Sequence, residues 1–379
     1  MNIGAITFHG SHNYGSMLQA YALQTFVVSL IQEAHIPGKY QIINYRSDVQ
    51  KKLYQPPMPG DSMKSFLKWL MYLSYKRAID LQNRRFEQFI TEQLQLTEEC
   101  SSVDELPQIA SRFDVLLAGS DQIWNVRAKD FRFAYLFQGC HGRKVSYAPS
   151  LGPLPIDWSQ YDVKEYTALL RGFSSVSVRE EASRRMLAPL VEDVPIELMP
   201  DPVFLLSAEE WRKLESDAHP DRYILFYCLE PSREHVRLAR RLSKRLGLPV
   251  VSTGYRNIKD WLNPFIKQYD AGPCDFLSLI DHADVVLTSS FHGTAFSLIY
   301  GKPFWTIDGL SDARIRDLLV KFGAERNHLP LRAKDVFMPA IISNSESVIC
   351  EERNKAKAYL IKALELTNEK GPMQREAAK

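Results

Sequence analysis

The residues best suited to hold an anion in this chain cluster around one histidine. Ser289-Ser290-Phe291-His292-Gly293-Thr294-Ala295-Phe296 follows the apolar run Val285-Val286-Leu287-Thr288. The pattern reads as a strand ending in a turn that enters a helix. Its imidazole would then lie beside unpaired helix-start amides, where negative charge is favoured. Histidine titrates near neutrality, so His292 could also give up a proton there. A histidine at a helix start is commonly incidental, but Gly293 permits close approach and Ser290 and Thr294 add hydroxyl donors. The expected anion-holding set is therefore His292, Ser290, Gly293 and Thr294.

Four other strand-to-helix turns carry polar groups, and ligands of open α/β sheets bind beyond the carboxyl ends of strands. In Phe8-His-Gly-Ser-His-Asn-Tyr-Gly-Ser16 two glycines separate a strand from a helix. That turn reads either as a phosphate or sugar loop using Asn13 and Tyr14, or as a plain turn capped by Asn13 or Ser16. Gly119-Ser-Asp-Gln-Ile-Trp-Asn125 offers Asp121 as a proton acceptor, Gln122 beside it and Trp124 as a face for a sugar ring. Its ordinary alternative is a capping aspartate and a core tryptophan. Ser177-Val-Arg179-Glu180 ends a strand on a guanidinium suited to a carboxylate or phosphate, unless Arg179 merely pairs with Glu180 or Glu181. In Pro200-Asp201-Pro202 a rigidly held carboxylate either meets an acceptor hydroxyl or caps a hinge.

The elements that must position these turns follow from hydrophobic period. Short Val/Ile/Leu-rich runs predict strands at 3–8, 40–45, 115–118, 144–147, 176–178 and 196–199. Helical patterns fall at 16–30, 62–94 with a break, 165–172 and 180–190. A second series begins after Pro202 at Ser207-Ala-Glu-Glu210, a capping box. Its strands are 223–228, 249–252, 285–289 and 304–307, and its helices 232–246, 275–282, 294–300 and 314–322. This is an α/β protein of two Rossmann-like domains facing a cleft. The domains expected are 1–205, with a helical insertion at about 51–97, then 206–345, then a C-terminal helix (351–366) and loose tail within 346–379. The insertion is basic and aromatic with no strand in it. Phe66, Leu70, Leu73, Phe86, Phe89 and Leu94 could form an acceptor-side wall or a patch near a membrane, or simply pack a helical hairpin on the first domain.

Composition narrows the partners. The 379 residues carry 47 Lys plus Arg against 45 Asp plus Glu, a net +2, so no overall field points to nucleic acid. The five cysteines are scattered without a Cys-x-x-Cys pair, which excludes a zinc motif and a disulfide framework and fits a reduced cytoplasmic setting. The start Met-Asn-Ile-Gly-Ala-Ile-Thr-Phe reads as a strand rather than a signal peptide, and 66–75 is too short to span a bilayer. No metal-ligand cluster is legible, so neither metal nor cofactor is expected.

Taken in order, Ile6 to Gln24, Gly119 to Asn125, Ser177 to Glu180, Asp201-Pro202 and Ser290-Phe-His-Gly-Thr-Ala-Phe296 resemble the polysaccharide pyruvyl transferase family from the first strand to about Leu319. The resemblance implies a fold like the GT-B glycosyltransferases and transfer of pyruvate from phosphoenolpyruvate, as co-substrate, to a sugar as a ketal. By motif position it implies that Arg179 and His292 hold the donor while Asp121 and Asp201 face the acceptor. Several family members carry Arg-Leu-His where this chain has Ser290-Phe291-His292. An arginine is therefore missing from the turn, with Lys302, Arg314 or Arg316 as replacements.

The expected reaction uses His292 as acid and Asp121 or Asp201 as base. The acceptor would be a cell-surface polysaccharide or its lipid-linked oligosaccharide precursor, met in the cytoplasm or at the inner face of the membrane. A GT-B-type glycosyltransferase using a nucleotide sugar, or a non-catalytic sugar-binding subunit, are the rival readings. Oligomeric state is not legible.

Overall fold

In the computed structural model, which describes residues 1–53, 62–217, 219–254 and 263–366, the β-branched runs assemble into two parallel sheets. The first contains β1 (Asn2–Ile6), β2 (Lys39–Tyr45), β3 (Leu96–Cys100), β4 (Val115–Ala118), β5 (Arg143–Ser146), β6 (Phe173–Val178) and β7 (Ile196–Leu198), ordered β3-β2-β1-β4-β5-β6-β7. The second contains β8 (Ile224–Cys228), β9 (Val250–Gly254), β10 (Ile266–Lys267), β11 (Val285–Thr288), β12 (Phe304–Ile307) and β13 (His328–Leu329), ordered β10-β9-β8-β11-β12-β13. Central strands such as β4, β8 and β11 are buried along their whole length, as sheets covered on both faces require.

Three edge strands escape the sequence pattern. β3 reads Leu-Thr-Glu-Glu-Cys, with both glutamates exposed at the rim of the sheet, and it begins inside the insertion expected to hold no strand. β10 and β13 are two residues long, below the length at which alternation can be recognised.

The two sheets share an apolar core rather than an open hinge. Tyr14, first residue of the helix Tyr14–Glu33, stacks on Phe276 of the second domain with centroids 4.4 Å apart. Its hydroxyl donates to the Ala271 carbonyl at 2.9 Å. Trp211, at the end of the capping-box helix Ala208–Arg212, packs between Tyr21 and Phe296.

Residues 62–94 hold one unbroken helix, Met63–Gln93, not a helix with a break. Phe86, Phe89 and Leu94 enter the first-domain core, whereas Phe66, Leu70 and Leu73 stay 44%, 44% and 42% exposed. Arg85 pairs with Asp270 and Asp275 at 3.0 and 3.1 Å, so this helix also ties the domains together. The last helix, Ser345–Leu364, returns to the first sheet, where Tyr359 donates to the Ser146 carbonyl at 2.7 Å. The loose tail expected after it lies outside the described residues. Among the described residues no helix is long and apolar enough to cross a membrane.

Candidate active site

The turn after β11 is built by hydrogen bonds within the chain. Thr288 donates through Oγ1 to the Tyr227 carbonyl at 2.7 Å and accepts from the Ser290 amide at 3.0 Å. Ser290 becomes an extended N-cap, and the helix Phe291–Ile299 starts three residues earlier than its sequence pattern indicates. No side chain caps this helix, so its first-turn amides at Phe291, His292 and Gly293 are left without a capping acceptor.

Two of the four residues expected to hold an anion also serve packing. A Cβ on Gly293 would fall 2.3 Å from Thr288 Oγ1 and 3.0 Å from the Tyr227 ring. This glycine seats the helix on the strands. The buried Thr294 hydroxyl donates to the Ser290 carbonyl at 3.0 Å and faces Thr306 Oγ1 at 3.3 Å. The Thr294 hydroxyl is thus engaged within the fold, and Gly293 keeps only its amide for an anion.

His292 keeps 12% of its side chain exposed, with Nε2 3.6 Å from Asp201 Oδ2, a distance for an ion pair rather than a hydrogen bond. Gly15 lies against the other ring nitrogen. A Cβ there would sit 2.0 Å from Nδ1, so only glycine at the start of the first helix lets the imidazole fit. Asp201 also accepts from Arg179 Nη1 at 2.5 Å and from the Val203 amide at 3.1 Å. Burial alone would raise its carboxyl, but the His292 interaction, with the charges of His292 and Arg179, holds it down at about 2. Burial opposes the charge on Arg179, yet Asp201, Glu180 and Asp121 keep it held above the ordinary arginine range. The Phe291 ring covers that guanidinium, 4.6 Å from its centroid.

Asp201 therefore departs from its expected role. Fully buried, paired with the Arg179 guanidinium and with a depressed pKa, it is a poor proton acceptor for a sugar hydroxyl. Arg179 is neither a surface pair nor a free fork, since Asp201 and Glu180 both occupy it. Trp124 offers no face to a sugar. It is wholly buried, with its indole N–H donated to the Tyr135 carbonyl at 3.1 Å. Tyr14 is consumed by the interdomain core described above.

A polar cleft of about 250 Å³ brings the remaining predicted residues together. The first domain contributes Asn13, Ser16, Asp121, Gln122 and Asp130, and the second Ser289, Ser290, His292 and Arg314. Asn13 caps its turn as expected, its Oδ1 accepting from the Gly15 amide at 2.9 Å, and the residue also lines the cleft. Asp121 sits at φ 72°, where a non-glycine residue is strained, and accepts from Ser16 Oγ at 2.5 Å. Asp130 was not visible in the sequence, standing in a loop without motif or period. Burial pushes its carboxyl up, with Asp121 nearby adding to the shift, which suits a proton acceptor.

Of the three replacement cations, Arg314 alone reaches this cleft, held in a fork by Asp312 at 3.0 and 2.6 Å. Lys302 donates to the Asp281 carbonyl near the amino ends of β8 and β11, away from the cleft. Arg316 lines a second, largely apolar cavity of about 390 Å³ beyond Phe291, which also receives Arg179 and Asp201. Arg179 and His292 thus open onto different cavities.

Among the described residues one cluster of metal-ligating side chains forms, Glu215, Asp281 and His282, with ligand atoms within 4.8 Å. It lies away from the cleft, and both Asp281 oxygens are taken by Arg212.

The sequence profile of the family described as polysaccharide pyruvyl transferase matches residues 13–311. Among curated proteins there is no significant match. The fold is similar to the UDP-N-acetylglucosamine 2-epimerase from Rickettsia bellii, at TM-score 0.50 and 10% identity over 97% of this chain and 95% of that one. Also similar are the Methanocaldococcus jannaschii UDP-GlcNAc 2-epimerase in complex with UDP-GlcNAc and UDP (TM-score 0.46, 13% identity, 98% and 94% covered) and the glycosyltransferase SnogD from Streptomyces nogalater (TM-score 0.45, 15% identity, 97% and 98% covered).

Proposed function

The chain belongs to the polysaccharide pyruvyl transferase family, and from that membership we propose that it moves pyruvate from phosphoenolpyruvate onto two hydroxyls of one sugar, forming a ketal. The acceptor is a cell-surface polysaccharide or its lipid-linked precursor, met at the cytoplasmic face of the membrane. The observation that carries the reading is the polar cleft itself, where His292, the uncapped helix start and Arg314 face Asp121 and Asp130.

Arg314 and the first-turn amides meet the phosphate and carboxylate of the donor. His292 gives its proton to the donor's methylene carbon, and the buried Asp201 carboxylate stabilises the imidazolium before transfer. The cation left at C2 is attacked by one acceptor hydroxyl, whose proton passes to Asp130 or Asp121. The C2–O bond to phosphate breaks, phosphate takes the electron pair, and the second hydroxyl closes the ring at C2. The new methyl group carries the His292 proton, the first acceptor proton passes from the aspartate through solvent to restore His292, and the second leaves on phosphate, so the steps balance.

The test is a ligand panel followed by turnover. Phosphoenolpyruvate should raise Tm where nucleotide diphosphate sugars do not, and phosphate should be released only when a sugar acceptor is added. Stabilisation by a nucleotide sugar with no phosphate release from phosphoenolpyruvate would replace this reading with a glycosyltransferase. Acceptor binding without turnover of either donor would leave a sugar-binding subunit.

A further inference from the structure

The second domain carries a cationic face that the proposed chemistry does not use. On the helix Arg233–Leu246, residues Arg237, Arg241, Lys244 and Arg245 recur at intervals of three and four, so they share one side. The loop after β13 adds Arg332 and Lys334 to the same shallow surface, against only Glu234 and Asp335. Arg241 Nη1 donates to the Ala333 carbonyl at 2.6 Å, which fixes loop to helix. Ion pairs of this domain form on Arg212, Arg222, Arg314, Arg316 and Lys321, and among the described residues none forms on these six cations. Arg245 lies over the Phe337 ring at 4.1 Å, and Phe337 and two residues that follow it in the chain, Met338 and Ile341, stand 55%, 51% and 58% exposed in turn.

We infer that this face docks the protein on an anionic bilayer. Lipid phosphates neutralise the six cations, and Phe337, Met338 and Ile341 enter the headgroup layer. Two weak signals, charge and a small apolar insertion, together give reversible binding. Charge selects the occupant. A second copy would set like charge against like, and a soluble polyanion would leave the three apolar side chains in water.

The inference stands apart from the catalytic reading, because vesicle binding needs neither donor nor acceptor. The full chain is sedimented with phosphatidylcholine vesicles containing or lacking phosphatidylglycerol. The expected result is binding to the anionic vesicles only, weakened by salt. Lys244→Glu with Lys334→Glu should weaken it by about tenfold or more. Met338→Ser with Ile341→Ser should weaken it by about threefold or more, and both double variants should keep the wild-type Tm. No binding to anionic vesicles overturns the inference. So does binding that survives both double variants but is lost in Phe66→Ser with Leu70→Ser, which would assign the contact to the first-domain helix. Equal loss of binding to a soluble polyanion such as heparin, with Met338→Ser and Ile341→Ser silent on vesicles, also overturns it.

Discussion

Phe291 separates two cavities that differ in size and in chemistry. On one side lies a polar cleft of about 250 Å³ with His292, Asp121 and Asp130, on the other an apolar cavity of about 390 Å³ that receives Arg179 and Asp201, and Arg314 lines both. Size alone would favour the larger one as the binding site. Convergent donors, a strained aspartate and uncapped helix amides favour the smaller. The buried Arg179–Asp201–His292 chain joins the two, with Asp201 facing the Arg179 guanidinium on one side and the His292 imidazole on the other. An arginine expected to grip the substrate is instead engaged by the carboxylate that faces the candidate histidine.

Substitutions on either side can break this contrast. Gly15→Ala should have the largest effect, because its Cβ would occupy space 2.0 Å from His292 Nδ1. Activity should fall by about 100-fold or more, since small misplacements of a catalytic group cost that much, and turnover with the acceptor measures it. Asp201→Asn should follow, cutting kcat about tenfold to 100-fold and lowering stability by about 3–5 kcal/mol, because Arg179 loses a buried partner.

The same carboxylate sets a pH dependence. Its folded pKa of about 2 lies below the ordinary value, so it stabilises the fold above roughly pH 4, and that contribution is lost as pH falls through about 2. Denaturant titrations of Asp201→Asn should show a flatter acid limb than the wild type. A limb as steep as the wild type's would remove Asp201 from the ion pair.

Two arginines sharpen the contrast, because both line the apolar cavity and only Arg314 also lines the polar cleft. Arg314→Ala should raise KM for phosphoenolpyruvate about tenfold, while Arg316→Ala, which lines only the apolar cavity, should leave it within about twofold. The smallest effect is expected for Val320→Phe at the exposed rim of the apolar cavity. Steady-state kcat and KM should both stay within about twofold. A large loss there would move the substrate into the second cavity.

Much of this was legible in the sequence because a parallel sheet sends every strand-to-helix turn to the same edge. Asn13, Asp121, Gln122, Ser290 and His292 follow strands, so their meeting in one cleft follows from period and turn residues. What was not legible depends on facing and adjacency. Trp124 turns inward to the Tyr135 carbonyl although its neighbours line the cleft. Arg179 reaches Asp201 because β6 and β7 are paired neighbours, which no local pattern states. Gly15 meets His292 only once the two domains close on each other, and Asp130 comes from a loop with no periodic signal. The helix Met63–Gln93 runs unbroken from the exposed Phe66, Leu70 and Leu73 to the buried Phe86, Phe89 and Ile90, a change of facing rather than of backbone.

The central claim is that His292 in the polar cleft transfers the proton that activates phosphoenolpyruvate. Acceptor-dependent phosphate release, compared between wild type and His292→Ala at matched Tm, tests it most directly. The expected result is steady release by the wild type and a loss of about 10²-fold to 10⁴-fold in the variant. Equal release by both proteins would contradict it.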